Sequence, residues 1–145
     1  MKALIQRVKT ASVRIDGQIF SQIGAGILVF LGVEKGDSKT NAEKLAQKLS
    51  SLRIFEDENG KMNRSILDTK GEMLIVSQFT LCGDCQKGTR PSFDKSAPPE
   101  IANRLYEYFI EQIKTYSIPC RTGKFGAMMD VSLINDGPVT FMVEK

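Results

Sequence analysis

The chain has 145 residues and a net charge of +3, and its 41% hydrophobic and 26% charged residues are typical of a folded globular protein, which excludes a disordered chain. No apolar run approaches the roughly 20 residues that cross a bilayer, and charged residues come too early for a signal-peptide core, so we expect one cytoplasmic domain over residues 1–145 with no membrane partner. The absence of histidine excludes a Ser-His-Asp triad, an imidazole base and a His-ligated metal.

The first half of the chain predicts strands followed by a helix. Apolar residues on both faces of the segment Ala3–Val8 indicate a strand, and Asp16-Gly17 between two short apolar runs indicates a two-residue hairpin turn. The continuous apolar run Ile27–Leu31 is typical of a buried central strand. The segment Thr40-Asn41-Ala42-Glu43 matches a capping box, so we expect a helix with Thr40 as its N-cap.

The second half predicts another buried strand over Met73–Phe79, a long loop from Cys82 to Pro98 and a second helix that opens at Pro98-Pro99. A half-exposed strand runs from Met129 to Asn135, and the apolar run Val139–Val143 closes the chain. The residues expected on the buried face of the second helix are Ile101, Leu105, Tyr108, Phe109 and Ile113. Because strands and helices do not alternate regularly, we predict an α+β fold in which mainly antiparallel strands form a barrel-like or sandwich-like sheet with two helices.

Two segments are candidates for a functional site. Ser77-Gln78-Phe79-Thr80-Leu81 lies where an apolar strand feeds the long loop, a position at which sites are often built, although a strand that turns polar at the surface gives the same pattern. Asn135-Asp136-Gly137-Pro138-Val139-Thr140 contains a Gly-Pro bond, for which the cis form is accessible and the trans form is the ordinary alternative.

These two segments resemble motifs of the D-aminoacyl-tRNA deacylase family. Further matches occur in order along the whole chain, and together they are specific although no single one would be. They are Gln6-Arg7-Val8, Leu52-Arg53-Ile54-Phe55, Lys87-Gly88, Arg90-Pro91-Ser92-Phe93 and Gly123-Lys124-Phe125-Gly126.

The resemblance implies a metal-independent, cofactor-free homodimer of the cytoplasm that hydrolyses the ester between a D-amino acid and the 3′ adenosine of tRNA, and that also removes glycine from mischarged tRNA. It implies that Gly137-Pro138 of one subunit, in cis, enters the pocket of the other and excludes L-amino acids with its backbone. By the same resemblance, Phe125 and Met129 hold the adenine and Arg7 holds the Gly-Pro carbonyls. The implied catalytic pocket is lined by Ser77, Gln78, Phe79 and Thr80.

This chemistry does not require histidine. An aminoacyl ester is already activated, and the neighbouring ribose hydroxyl can assist its cleavage. Backbone N–H groups near Phe79 and Thr80 are candidates for stabilising the oxyanion. Because a threonine without a nearby base is a poor nucleophile, we expect Thr80 to position groups by hydrogen bonding while water attacks.

Some of the basic residues in loops are expected to contact tRNA phosphates. Those basic residues are Lys61, Arg64, Lys87, Arg90, Lys95 and Lys124. A non-catalytic nucleic-acid-binding module is the first alternative function. A thiol-redox protein is the second alternative, because Cys82 and Cys85 form a C-x-x-C where many family members have Leu-Tyr-Ala-Asp-Thr. No helix N-terminus is predicted after the pair to lower a thiol pKa, and only Cys120 remains as a further thiol ligand, so we expect neither a redox nor a zinc role.

Overall fold

The computed structural model describes residues 1–145 and contains eight strands, three α-helices and one 3₁₀ helix. The strands are β1 (Lys2–Ile15), β2 (Gln18–Ile23), β3 (Gly26–Gly32), β4 (Phe55–Glu56), β5 (Met62–Arg64), β6 (Glu72–Ser77), β7 (Cys120–Thr122) and β8 (Asp130–Glu144). The helices are α1 (Lys39–Ser51), α2 (Ile66–Thr69), α3 (Pro99–Thr115) and the 3₁₀ helix Phe79–Cys82. None of the helices combines the length and apolar character needed to span a bilayer.

Strand β1 organises the main sheet, because it pairs antiparallel with β2, β3 and β8. On the far side, β3 pairs with β6 and β6 with β7 in parallel. The Ser21 hydroxyl of β2 donates a hydrogen bond of 2.8 Å to the Thr122 carbonyl of β7, which brings the two ends of the sheet together into a nearly closed barrel. The predicted α+β class with mainly antiparallel strands is confirmed, and the parallel pairs and the short third helix α2 are additions that sequence patterns did not indicate.

The predicted hairpin between β1 and β2 is confirmed. Asp16 and Gly17 both have positive φ angles, 50° and 75°, as the two central residues of a type I′ turn require. The twist of this turn matches that of the two strands it joins. Beyond it, Ala11 of β1 pairs with Ile23 of β2, and both side chains are buried inside the barrel.

The hydrophobic core lies on both faces of the main sheet. On one face, helices α1 and α3 cover apolar side chains such as Ile5 and Val29, while a smaller cluster that includes Leu28 and Leu74 fills the barrel interior. Strand β3 contributes to both clusters, as the predicted burial of Ile27–Leu31 requires.

The two long helices correct details of the prediction. Helix α1 begins at Lys39, and its capping box joins Ser38 to Asn41, whose Oδ1 accepts the Ser38 N–H at 2.9 Å, so the prediction of Thr40 as N-cap is wrong. A serine placed two residues earlier extends the helix by half a turn.

Helix α3 begins at Pro99 as predicted, but its buried face is rotated from the predicted one. Tyr106 and Ile110 are buried, whereas Ile101 is 40% exposed and Tyr108 is half-buried. The rotation follows from the packing partners, because the Tyr106 hydroxyl donates to a carbonyl of β6 whereas the Tyr108 hydroxyl reaches α1.

We predict that Gly26→Ala strongly destabilises the fold. A Cβ at this position in β3 would lie 1.9 Å from the Glu72 carbonyl oxygen, and backbone cannot move aside as a flexible side chain can. We expect a loss of about 3 kcal/mol or more in the free energy of unfolding, measured by urea denaturation. Gly24→Ala is the matched control, because its Cβ would meet the Glu72 carboxylate at an ordinary 3.6 Å. Equal stability of the two variants would contradict this packing.

Candidate active site

A cavity of about 630 Å³ opens where β6 ends, between the sheet, the start of α3 and the segment 125–131. Hydrophobic residues supply 13 of its 18 lining residues, a composition suited to an organic ligand fixed by a few polar groups. Five of the predicted site residues line it: Ser77, Gln78, Phe79, Phe125 and Met129. Thr80 lies directly beside this wall without lining it, and Arg7, Gly137 and Pro138 lie elsewhere.

The backbone at the end of β6 is the chemically most distinctive part of the cavity wall. The Gln78 N–H makes the last bond to β3, a 2.8 Å donation to the Leu31 carbonyl, and the chain then turns into the 3₁₀ helix. The Leu81 N–H donates back to the Gln78 carbonyl at 3.2 Å, whereas the N–H groups of Phe79 and Thr80 have no acceptor in the protein.

The predicted strand therefore ends two residues earlier than expected, at Ser77 instead of Phe79. Continuation of the strand would have engaged these N–H groups in sheet pairing. Its early end leaves two adjacent donors beside the cavity, available to an oxygen atom of a ligand.

The Thr80 hydroxyl interacts with its neighbour Gln78. The Gln78 Nε2 amide donates to Thr80 Oγ1, which is exposed to solvent. No carboxylate, amine or thiol forms a hydrogen bond with this hydroxyl. Since a donor amide cannot remove a proton, the arrangement orients Thr80 without activating it as a nucleophile.

The opposite wall is aromatic and thioether-rich. The Phe125 ring lies 5.8 Å from the Tyr106 ring, and the Tyr106 hydroxyl donates to the Ile75 carbonyl at 2.8 Å, which ties helix α3 to strand β6. Burial raises the pKa of Tyr106 far above its usual range, so the phenol stays protonated as this donor. A Cβ on Gly123 would lie 2.7 Å from the Met129 sulfur, so the missing side chain lets Met129 reach the wall.

Arg7 anchors the second predicted segment. Its buried guanidinium donates from Nε to the Asp136 carbonyl at 2.8 Å and from Nη1 to the Ile54 carbonyl at 2.7 Å. The Gly137–Pro138 peptide bond is cis, as expected, and both residues are exposed. Within this loop, Arg7 donates to the Asp136 carbonyl, which precedes Gly137. The carbonyls of Gly137 and Pro138 accept no hydrogen bond from the Arg7 side chain.

Asn135 supports the same loop, and the sequence analysis placed it in the candidate segment without assigning it a role. Its Oδ1 accepts the Val139 N–H at 2.7 Å, and its Nδ2 donates to Thr140 Oγ1 at 3.1 Å, so one side chain closes the base of the loop. Asparagine commonly bonds to nearby backbone in turns, which is the signal that could have identified it. Gly137 has φ +142°, and a Cβ there would lie 3.0 Å from the Val139 nitrogen, so the loop requires glycine.

The cysteines and acidic residues form no group of three or more that could hold a metal ion. Cys82 is buried beneath β3, Cys85 is exposed, Cys120 is half-buried, and all three are free thiols. Burial raises the pKa of the Cys82 thiol, and burial also raises the pKa of Cys120 to about 11. Both thiol pKa values are raised, whereas a redox-active thiol has a lowered pKa.

Comparison with known proteins gives matches over essentially the whole chain. A model of the D-Tyr-tRNA(Tyr) deacylase family matches residues 4–144. A D-aminoacyl-tRNA deacylase of Geotalea daltonii is 61% identical over 144 residues, which cover 99% of this chain and 96% of that protein. A D-aminoacyl-tRNA deacylase of Thermosipho africanus is 57% identical over 145 residues, which cover 100% of this chain and 97% of that protein.

Two solved structures are similar in fold. One, described as a c-Myc DNA unwinding element binding protein, has a TM-score of 0.95 and 45% identity, and the match covers 100% of this chain and 99% of that one. The other, described as a probable eukaryotic D-amino acid tRNA deacylase, has a TM-score of 0.85 and covers 99% of this chain and 98% of that one. Its 16% identity supports the fold alone.

We predict that Arg7→Lys lowers the free energy of unfolding by about 2 kcal/mol, because an ammonium cannot reach the carbonyls of both Ile54 and Asp136, and one is left buried without a donor. Amide hydrogen exchange at Val139 should also accelerate as the loop loosens. The control is Lys9→Ala, which removes an exposed cation 4.0 Å from the Asp136 carboxylate and should change stability by no more than about 0.5 kcal/mol. Equal effects of the two variants would contradict the anchoring role of Arg7.

We predict that iodoacetamide at about pH 8 modifies Cys85 alone in the native protein, because Cys82 is buried and the Cys120 pKa of about 11 keeps that thiol protonated. Peptide mass spectrometry locates the adduct, and urea-unfolded protein, in which all three thiols should react, is the control. Rapid native modification of Cys82 would revive the redox interpretation of the C-x-x-C.

Proposed function

Because this chain belongs to the D-Tyr-tRNA(Tyr) deacylase family, we propose that the 630 Å³ cavity is the active site of a D-aminoacyl-tRNA deacylase. The reaction is hydrolysis of the ester that joins a D-amino acid to the 3′ adenosine of tRNA. A cavity of this size and apolar character matches a ligand made of one nucleoside and one amino acid.

The observation that carries this proposal is the pair of free N–H groups at Phe79 and Thr80. Attack on an ester carbonyl places negative charge on the carbonyl oxygen, and fixed backbone donors stabilise that charge without reorganising. A single such donor contributes about 3–4 kcal/mol to the transition state in other enzymes. We place the ester carbonyl against these two groups, with the amino-acid side chain directed into the apolar part of the cavity.

In the mechanism that we propose, water attacks the ester without activation by a metal or cofactor. The ester is intrinsically reactive, and the neighbouring ribose hydroxyl can stabilise the developing charge or pass on a proton. Thr80 Oγ1, oriented by the Gln78 amide, can hydrogen bond to the water or to the amino group of the substrate. Thr80 is then a positioning group whose loss slows the reaction without abolishing it.

The adenine of the substrate is placed against Phe125 and Met129. The aromatic face of Phe125 can stack on any base. The Met129 thioether can contact the edge of that base, because the missing side chain at Gly123 leaves room for the sulfur. The Tyr106 ring packs beside Phe125 at a centroid distance of 5.8 Å and helps to hold the stacking surface in place.

The loop with Gly137 and Pro138 completes the site from a second subunit of a homodimer. The two residues are exposed and lie outside the cavity of their own chain, so they are available to the cavity of another. Strand β8 pairs only with β1, which leaves its other edge free. Exposed apolar side chains lie along that strand, as is typical of an interface: Ile134, Phe141 and Met142.

A backbone wall formed by Gly137-Pro138 would exclude L-amino acids by steric contact, whatever their side chain. Such a filter suits an enzyme that must accept many D-side chains, because it rejects L-amino acids without requiring specific contacts to each D-side chain. Glycine has no side chain to collide with the wall, so Gly-tRNA should be a substrate as well. We propose the cytoplasm as the location of the protein, because aminoacyl-tRNA is used there in translation.

DNA binding is the second candidate function, favoured by the name of the solved structure that is 45% identical. It would use exposed cations that lack an ion-pair partner, such as Lys87 and Arg90. Fluorescence anisotropy with duplex DNA at physiological salt distinguishes the two functions. We expect only non-specific binding, with a Kd no tighter than about 10⁻⁶ M.

The proposal is tested by release of labelled tyrosine from D-Tyr-tRNA and from L-Tyr-tRNA. We expect hydrolysis of the D-substrate alone, undiminished by EDTA.

Thr80→Val keeps the side-chain shape and removes the hydroxyl, and we expect kcat to fall by less than about 100-fold, because the backbone donors remain. Thr80→Ser is the matched control. Loss of all activity in Thr80→Val, with an acyl-enzyme seen in the wild type, would make Thr80 the nucleophile. Absence of D-Tyr-tRNA hydrolysis by the wild type would refute the proposal.

A further inference from the structure

An exposed aromatic pair stands at the mouth of the cavity. The rings of Phe79 and Phe93 lie 5.0 Å apart, centre to centre, and meet at 57°. Both line the cavity, yet Phe79 is 59% and Phe93 is 37% exposed. Exposure of two adjacent phenyl rings is unfavourable in water, which indicates a ligand that covers them.

Phe93 has defined packing contacts although it belongs to a long surface loop. Asp84 and Ser92 exchange two backbone hydrogen bonds of 2.8 and 2.9 Å, which close the loop just before Phe93. A Cβ on Gly83 would lie 3.0 Å from the Phe93 ring, so the ring packs directly on the Gly83 backbone. The aromatic surface is therefore preorganised, and a ligand does not have to order it.

Two lysines lie beside the pair, together with one exposed carboxylate, Asp94, that has no ion-pair partner. Lys95 follows Phe93 by two residues, and its carbonyl accepts the Lys35 N–H at 2.9 Å, so the two lysines are neighbours. Lys35 is exposed and has no ion-pair partner, whereas Lys95 pairs with Asp84 at 3.7 Å. The nearby carboxylates of Glu34 and Asp37 are neutralised by Lys2 and by the amino group of Met1.

Aromatic faces with lysines beside them are a combination that binds single-stranded nucleic acid, because bases stack on the rings and lysines neutralise phosphates. We propose that Phe79 and Phe93 stack the nucleotide that precedes the terminal adenosine of tRNA, and that Lys35 and Lys95 contact its phosphates. We call these four residues the 3′-strand platform.

The platform rests on the proposed function only in taking the terminal adenosine to occupy the cavity. It explains how an enzyme with a small pocket can hold a large tRNA without recognising its amino acid. It also assigns the long loop a role separate from ester cleavage.

Binding of the trinucleotide CCA and of adenosine 5′-monophosphate, measured by calorimetric titration of the intact protein, tests the platform. In Phe93→Leu, which keeps apolar bulk on Gly83, we expect the preference for CCA over the mononucleotide to fall about 10-fold. Phe93→Tyr retains an aromatic face and should restore the preference. Lys35→Ala should lower the slope of log Kd against log salt for CCA by about 0.7. Lys44→Ala, which removes an exposed lysine of α1 outside the cavity lining, is the matched control and should leave the slope unchanged.

Equal weakening of both ligands by Phe93→Leu, or no change in either, would overturn the platform. Dissociation of the oligomer by Phe93→Leu, measured by sedimentation, would also overturn it and would assign the aromatic pair to a contact between subunits. Because these readouts are binding equilibria, they remain informative if the wild type proves not to hydrolyse D-Tyr-tRNA. That result would refute the proposed function separately.

Discussion

The hydrogen bond from the Gln78 N–H to the Leu31 carbonyl is the interaction on which the site depends. It is the last link between β6 and β3, and immediately beyond it the chain leaves the sheet as a single 3₁₀ turn. That turn leaves the N–H groups of Phe79 and Thr80 without an acceptor beside the cavity, places Phe79 in the cavity lining and brings Thr80 against the Gln78 amide. If these backbone N–H groups stabilise an oxyanion, as we propose, their position is set by the sheet and the site requires no histidine.

A second constraint is the anchoring of the loop that carries Gly137 and Pro138. Arg7, on the central strand β1, holds the Asp136 carbonyl from one side while Asn135 closes the loop from the other. The base of the loop is therefore fixed to the barrel, yet its tip lies outside the cavity of its own chain. A rigid tip is what exclusion of L-amino acids by steric contact requires, because a flexible one would yield to a side chain.

Sequence patterns predicted elements whose signals are local. The Asp16-Gly17 turn has positive φ at both residues, and helix α3 begins with a proline. Both features are marked by residue type alone, so the sequence predicted them. The end of β6, the parallel pairing of β3 with β6 and the acceptor of Arg7 depend on contacts between segments distant in sequence. The residues Ser77 to Phe79, Phe125 and Met129 were identified through family resemblance, and the structure brings them together around one cavity. Residue types alone did not distinguish Ser77 or Gln78 from an ordinary strand end.

We propose that one subunit supplies the cavity and its partner supplies the loop, and mixing of two inactive variants tests this arrangement most directly. Ala102→Trp fills the cavity with an indole, and Gly137→Val distorts the loop, whose backbone cannot accept a Cβ without contact to Val139. Each variant alone should be inactive on D-Tyr-tRNA. After unfolding and joint refolding, half of the dimers contain one intact cavity facing one intact loop, so about a quarter of the wild-type activity should return. Failure to recover activity, with mixed dimers present by mass spectrometry, would contradict the shared site.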